Sequence, residues 1–257
     1  MNSVSRATRV GTARRTSYLS LSRSPRYSVL FAMPLLLGYE GLAAFLSRPG
    51  VPELRNGADA LLRAAFTAVA GREGPAIGMA AIILLGVGLV VRDMRRNRDR
   101  LRSAVFAGML AESIVLAAVF GVVIGFATIR LLGSLHTLAT LSISPIERTS
   151  WPTRLMLSLG AGLYEELFFR VLLVGGFAAA GRIIAGLSAR TAGVLAAIVS
   201  AFIFSAFHYI GPYGDQFQVQ SFVFRFLSGL AFSGLYLLRG FGVTAWTHAL
   251  YDSMLLL

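Results

Sequence analysis

The chain has 257 residues, 56% of them hydrophobic, and a mean hydropathy of +0.70, whereas a soluble domain runs at about 45–50% apolar, so the composition asks for lipid as solvent. Net charge is +12 from 24 basic and 12 acidic residues; all the basic ones are arginine and sit at span ends without interleaved aromatics, which fits topology and anionic-lipid contact rather than nucleic acid. Cysteine is absent, which excludes disulfides, thiolate metal sites and a cysteine nucleophile.

Residues 1–26 contain Arg6, Arg9, Arg14, Arg15, Arg23 and Arg26 with no acid, and read as a disordered basic cytoplasmic tail. Arg14-Arg15 has the look of a twin-arginine signal, but no apolar run follows closely and no small-residue cleavage site is visible, so an uncleaved anchor is expected. The remainder, 27–257, reads as an all-α, polytopic transmembrane helical bundle. Apolar stretches at about 28–47, 75–91, 103–132, 154–180, 190–210, 219–238 and 241–257 predict about seven spans, each near or above the roughly 17 residues a crossing needs. Residues 59–70 predict a short interfacial helix. The last two spans are separated only by Arg239-Gly240, and the first of them carries Arg225, so a broken or re-entrant element is an alternative there.

Arg92, Arg95, Arg96, Arg98, Arg100 and Arg102 place the loop 92–102 in the cytoplasm with the N-terminus. With seven crossings the C-terminus and the loops at 48–74, 133–153 and 211–218 then lie outside. The exclusive use of arginine suggests a GC-rich bacterial genome, and hence a multi-pass protein of the cell inner membrane.

Within 154–180, Tyr164-Glu165-Glu166-Leu167-Phe168-Phe169-Arg170 puts three charges in an apolar run. Charges at bilayer depth cost roughly 2.5–3.5 kcal/mol each on insertion scales. On a helix Glu166 and Arg170 share a face and can pair, while Glu165 points about 100° away. One carboxylate is neutralised and the other is left free, a structural clamp beside a working acid or base. Two of the three histidines sit in later spans, His208 four residues after Phe204 and His248 four before Asp252. A carboxylate, an imidazole and an imidazole–carboxylate pair on three spans are the ingredients for activating water in a membrane cavity.

In order and spacing, Glu165-Glu166…Arg170, Phe204…His208 and His248…Asp252 resemble the CAAX-protease and bacteriocin-processing family of intramembrane glutamic-type peptidases. The resemblance covers about residues 150–257, with the motifs inside 154–257. It implies hydrolysis of a peptide bond in a membrane-associated or lipid-anchored precursor by a water that Glu165 activates as general base. His208 then helps hold the water, and His248 with Asp252 stabilises the oxyanion. Glu166, Arg170 and Phe204 give structural support. The family pattern ends in Asn or Asp; an aspartate donates to an oxyanion only when protonated, and otherwise orients His248 or keeps it cationic. Glu165, His208 and His248 are the ligands if zinc is present, but their scatter over three spans and the lack of a His-Glu-x-x-His helix favour a metal-free site with no cofactor. The expected partners are a membrane-associated peptide and the bilayer, with no nucleic acid. Prenylated tails, bacteriocin leaders and anchored sorting tails all fall within the family's range. The alternatives are a non-catalytic peptide-binding or immunity factor, or a transporter with a polar intramembrane cluster, although the repeated halves of a transporter are not visible.

Other polar residues have plainer readings. His136 reads as a surface histidine, and Asp215 as a turn residue. Glu40 and Glu112 each satisfy a neighbour such as Arg225 or make a helix–helix contact. Phe217–Phe232 reads as lipid-facing packing, with a lipid-side gate as the alternative. Gly160, Gly162, Gly175 and Gly176 flank the carboxylates and allow close helix approach.

Overall fold

A computed structural model describes residues 17–50, 53–132, 149–211 and 214–256. These residues are helical, with no strand among them: α1 (Tyr18–Ser22), α2 (Pro25–Leu46), α3 (Gly57–Ala70), α4 (Gly74–Arg96), α5 (Ser103–Leu132), α6 (Trp151–Gly160), a π-helical segment (Ala161–Val174), α7 (Gly175–Ile183), α8 (Ala189–Phe207), α9 (Val219–Arg239) and α10 (Phe241–Leu256). Among the described residues, five candidate spans are long and apolar enough to cross a membrane: α2, the α3–α4 run, α5, α8 and α9. The other two expected spans are the helical run from α6 through α7, divided by the π segment, and the 16-residue α10. The all-α membrane bundle is thus the observed architecture. Within the stretch expected as a basic tail, Tyr18–Ser22 form α1, which buries Leu21, and Arg26 is buried at the start of α2. His136 lies outside the described residues.

The shortest of the expected spans, α10, is the central helix. From Gly242 to Ala249 every residue of α10 except Trp246 is buried, and α10 packs against α2, α5, α6, the π segment and α9. A helix buried on nearly every side is one that protein, not lipid, surrounds. Around it, α2 offers one stripe, Tyr27, Phe31, Leu35, Tyr39 and Ala43, spaced four apart and all buried. In α5 the buried face runs Val105, Met109, Ser113, Ala117, Phe120, Ile124 and Thr128, while Ile114, Val115, Val119, Val122 and Phe126 are exposed. With α4 likewise exposing Ile83, Leu84, Leu85 and Val87, the outer surface is hydrocarbon and suits lipid.

The last two spans are separate helices. Gly240 turns the chain between them at φ 81°, a conformation open to glycine without a Cβ clash. The expected interfacial helix at 59–70 is α3, and it doubles back on α4. A straight helix would separate residues 66 and 78 by about 18 Å, yet a Cβ on Gly78 would lie 2.1 Å from the Phe66 ring.

Ion pairs sort to the two ends of the bundle. At the end carrying the arginine loop, Arg26 pairs with Asp93 and donates to the carbonyls of Asn97 and Asp99 at 2.7 and 3.0 Å. Nearby, Glu112 accepts from Arg239 and from the Tyr18 hydroxyl at 2.6 Å. The partners of the intramembrane acids therefore differ from the expected Arg225. Glu112 takes Arg239, Glu40 takes Arg55 and Arg63, and Arg225 pairs with Asp215.

Glu112→Ala leaves the Arg239 guanidinium short of its main partner, and a loss of about 1–3 kcal/mol is expected. Thermal unfolding in detergent should show that loss, and the double change Glu112→Leu with Arg239→Leu should recover most of it.

Candidate active site

Glu165 and Glu166 lie in the π segment, where the backbone bonds widen from i→i+4 to i→i+5; its end is marked by the Gly175 N–H donating to the Arg170 carbonyl. Such segments are rare and recur at functional sites. In the wider turn adjacent side chains diverge by less than the α-helical 100°, and both carboxylates are turned into the protein, Glu166 fully buried and Glu165 8% exposed. Nothing in residue propensity announces a π-helix, so the sequence pattern reads as α.

Glu166 serves two partners. Its Oε1 lies 2.6 Å from His248 Nδ1, and its Oε2 is 3.2 Å from Arg170 Nε. The expected Glu166–Arg170 pairing is present; the tie from Glu166 to His248 is an addition the spacing did not reveal. The Arg170 guanidinium is fully buried and makes no aligned hydrogen bond among the described residues. It is enclosed by rings instead, with its central carbon 4.6 Å from the Phe204 centroid, 5.5 Å from Phe232 and 5.9 Å from Phe169. Desolvated cation–π contacts of this kind contribute about 2 kcal/mol.

His248, on the central α10, stacks on Phe232 with centroids 4.3 Å apart. Its Nε2 is 3.6 Å from Asp252, ion-pair range rather than a hydrogen bond. His208 caps α8. Its Nδ1 is 2.8 Å from the Phe204 carbonyl, which can only accept, so Nδ1 carries a hydrogen and, in the neutral imidazole, Nε2 keeps the lone pair. Phe204 stands between, edge-on to His208 at 4.8 Å on one side and against Arg170 on the other. Glu165 lies within electrostatic range of both histidines and of Asp252. The residues singled out from three separate motifs are thus brought to one place.

One member of the cluster carries no signal in the sequence. Asn56, from the turn before α3, donates its Nδ2 to Glu165 Oε1 at 2.9 Å. The other oxygen of Glu165 has no hydrogen-bond partner among the described residues. Asn56 is buried and lies over a hundred positions away from Glu165, with nothing in its Arg-Asn-Gly context to mark it. Asp215 is more than a turn residue as well, since it pairs with Arg225 and its N–H donates to the His208 carbonyl at 2.9 Å.

Two of the four flanking glycines set the close approaches. A Cβ on Gly162 would lie 2.3 Å from the Ala245 carbonyl oxygen, so Gly162 lets α10 bring His248 up to Glu166. A Cβ on Gly160 would lie 2.5 Å from the Tyr39 ring and 2.8 Å from the Asn56 Cβ. Gly175 and Gly176 do not share this role; Gly176 faces open space. Among the described residues no group of three or more His, Asp or Glu side chains is arranged to hold a metal ion.

Residues 147–254 match the family described as type II CAAX prenyl endopeptidase Rce1-like. This part of the chain, somewhat under half of its length, is therefore an Rce1-like domain, and the resemblance carried by the three motifs holds over it. Neither the curated proteins nor the solved structures contain a match to the chain. With five apolar helices among the described residues, two of them inside that domain, the molecule is a multi-pass membrane protein that carries an Rce1-like domain.

Gly162→Val should weaken the fold by about 1–3 kcal/mol through overpacking against the α10 backbone, lowering the unfolding temperature in detergent. Gly176→Ala should leave that temperature unchanged or slightly raised.

Proposed function

We propose that the protein is an intramembrane endopeptidase that hydrolyses a peptide bond of a membrane-associated or lipid-anchored precursor, with Glu165 as the base. The observation that carries this reading is the unequal use of two adjacent carboxylates. Glu166 is charge-paired at both oxygens, hydrogen-bonded to His248 at one and in ion-pair contact with Arg170 at the other without an aligned hydrogen bond, while Glu165 is held at one oxygen only, by the neutral amide of Asn56. A fully engaged carboxylate cannot take a proton without losing its partners; a half-engaged one can.

In the proposed reaction a water donates a hydrogen bond to the free oxygen of Glu165, and its second hydrogen lies toward the His208 Nε2 lone pair. Glu165 takes the proton as the water oxygen bonds to the carbonyl carbon. The oxyanion that forms is met by Nε2–H of His248, acting as an imidazolium between Glu166 and Asp252. Glu165 then returns the proton to the amide nitrogen, the C–N bond breaks, and an acid and an amine leave. Donors aimed at a developing oxyanion supply the largest share of such catalysis. Asp252 in this reading keeps His248 charged instead of donating itself.

The reading includes no metal. His248 faces a carboxylate from each ring nitrogen and His208 spends Nδ1 on its own helix, which leaves few lone pairs for a zinc ion. Activity that survives a strong chelator is the expected outcome, and loss restored by stoichiometric zinc would overturn this part of the proposal.

We also place the site on the outer face of a bacterial inner membrane, with the N-terminus in the cytoplasm and the C-terminus outside. The arginine loop and the site lie toward opposite ends of the bundle, which supports this orientation. In Phe207→Cys and Gly211→Cys variants, a membrane-impermeant thiol reagent should label from outside; labelling only from the cytoplasm would reverse the orientation. Bacteriocin leaders and membrane-anchored precursors then become the favoured substrates over prenylated tails.

The deciding experiment compares membrane-proteome termini in cells carrying the wild type or Glu165→Gln. Precursors accumulating only with the variant would support proteolysis and name the substrate. Identical termini, with the variant still rescuing a deletion, would move the protein to a peptide-binding role.

A further inference from the structure

The matched domain begins at residue 147, yet the carboxylate proposed as base is fastened by a residue far upstream of it. Asn56 is the N-cap of α3, and its Oδ1 accepts from the Ala58 N–H at 2.9 Å. Only an oxygen can accept that hydrogen, so the amide orientation is fixed and Nδ2 must face Glu165. The Asn56 N–H donates to the Tyr39 hydroxyl at 3.0 Å, which in turn donates to Asp59 at 2.8 Å.

Charged groups around it hold the turn still. Glu40 accepts from Arg55 at 2.8 Å, from Arg63 at 3.3 Å and from the hydroxyl of Tyr164, the residue before Glu165, at 2.8 Å. Fully buried Asp59 accepts from Arg63 at 2.7 Å. α2, α3 and the π segment are thus tied together beside Asn56. A network costs less side-chain freedom per bridge than isolated pairs, since each added contact uses groups that are already fixed.

We infer that Asn56 is a positioning residue for the base: its Nδ2 fixes one oxygen of Glu165 so that the other is presented to the nucleophilic water. The inference rests on the reading of Glu165 as base. It makes the site a composite, with the helical hairpin of α3 and α4 supplying a part that the motif-bearing half lacks.

Two variants separate positioning from capping. Ser caps helices about as well as Asn and Gly nearly as well, so Asn56→Ser and Asn56→Gly keep α3 intact while removing the amide donor to Glu165. In proteoliposomes, with, as probe, an internally quenched peptide spanning the cleavage site that the comparison of membrane-proteome termini names, kcat should fall at least roughly tenfold and KM should stay within about twofold, at unchanged unfolding temperature. Wild-type kcat in both variants would overturn the inference and leave Asn56 as a cap alone. A second readout needs no substrate. The chain has three asparagines, Asn2, Asn56 and Asn97. Selective 15N labelling therefore gives three side-chain amide signals, and Asn56→Ser identifies its own by the loss. That signal should shift in Glu165→Gln; an unmoved signal would overturn the juxtaposition. If Glu165→Gln cleaves the peptide as well as wild type, the reading of Glu165 as base fails, and the inferred positioning role falls with it even where the amide signal moves.

Discussion

A buried carboxylate shared between a cation and an imidazole is the constraint from which the rest of the site follows. Glu166 has no access to solvent, so its charge must be met inside the protein, and it is met twice, by Arg170 on its own helix and by His248 on the central one. Arg170 in turn is closed in by three phenylalanine rings from the π segment, α8 and α9. Removing any one of these groups strands a charge in an apolar interior. The cluster therefore fixes four helical elements relative to one another before any chemistry is considered.

That rigidity explains the placement of the other groups. α10 is held at backbone contact with the π segment through Gly162, which sets how far His248 can reach. The widened turn carries Glu165 and Glu166 into the interior together, and the different environments they find there set their proposed roles apart. Glu166 belongs to the scaffold, and Glu165 keeps an oxygen unclaimed. Two like groups side by side with unlike surroundings are a recurrent way to assign structural and reactive functions in one site.

The N-terminal half contributes more than anchoring. Tyr39, Glu40, Arg55, Asn56, Asp59 and Arg63 form a polar roof over the end of the bundle where Glu165 lies, and Tyr164 links it to the π segment. The opposite end has its own clamp, in which Arg26 holds the arginine loop and Glu112 joins Tyr18 to Arg239. Intramembrane acids that look isolated along the chain are paired in space, as the expense of a lone charge in lipid requires.

The amino-acid sequence by itself determined the solvent, the helical class, the positions of most helices and the three motifs, because hydropathy and residue type are local and survive without a fold. The pairing of Glu166 with Arg170 was legible for the same reason, as a contact within one helical turn. What tertiary structure alone decided was long-range. The bridge from Glu166 to His248 joins residues 82 apart, and the hold of Asn56 on Glu165 joins residues 109 apart. The fold also decided the real partners of Glu40, Glu112 and Arg225, and the π geometry of the segment that carries the two adjacent carboxylates. None of these leaves a periodicity or a composition in the chain; each exists only where packing has brought distant surfaces within a few ångströms.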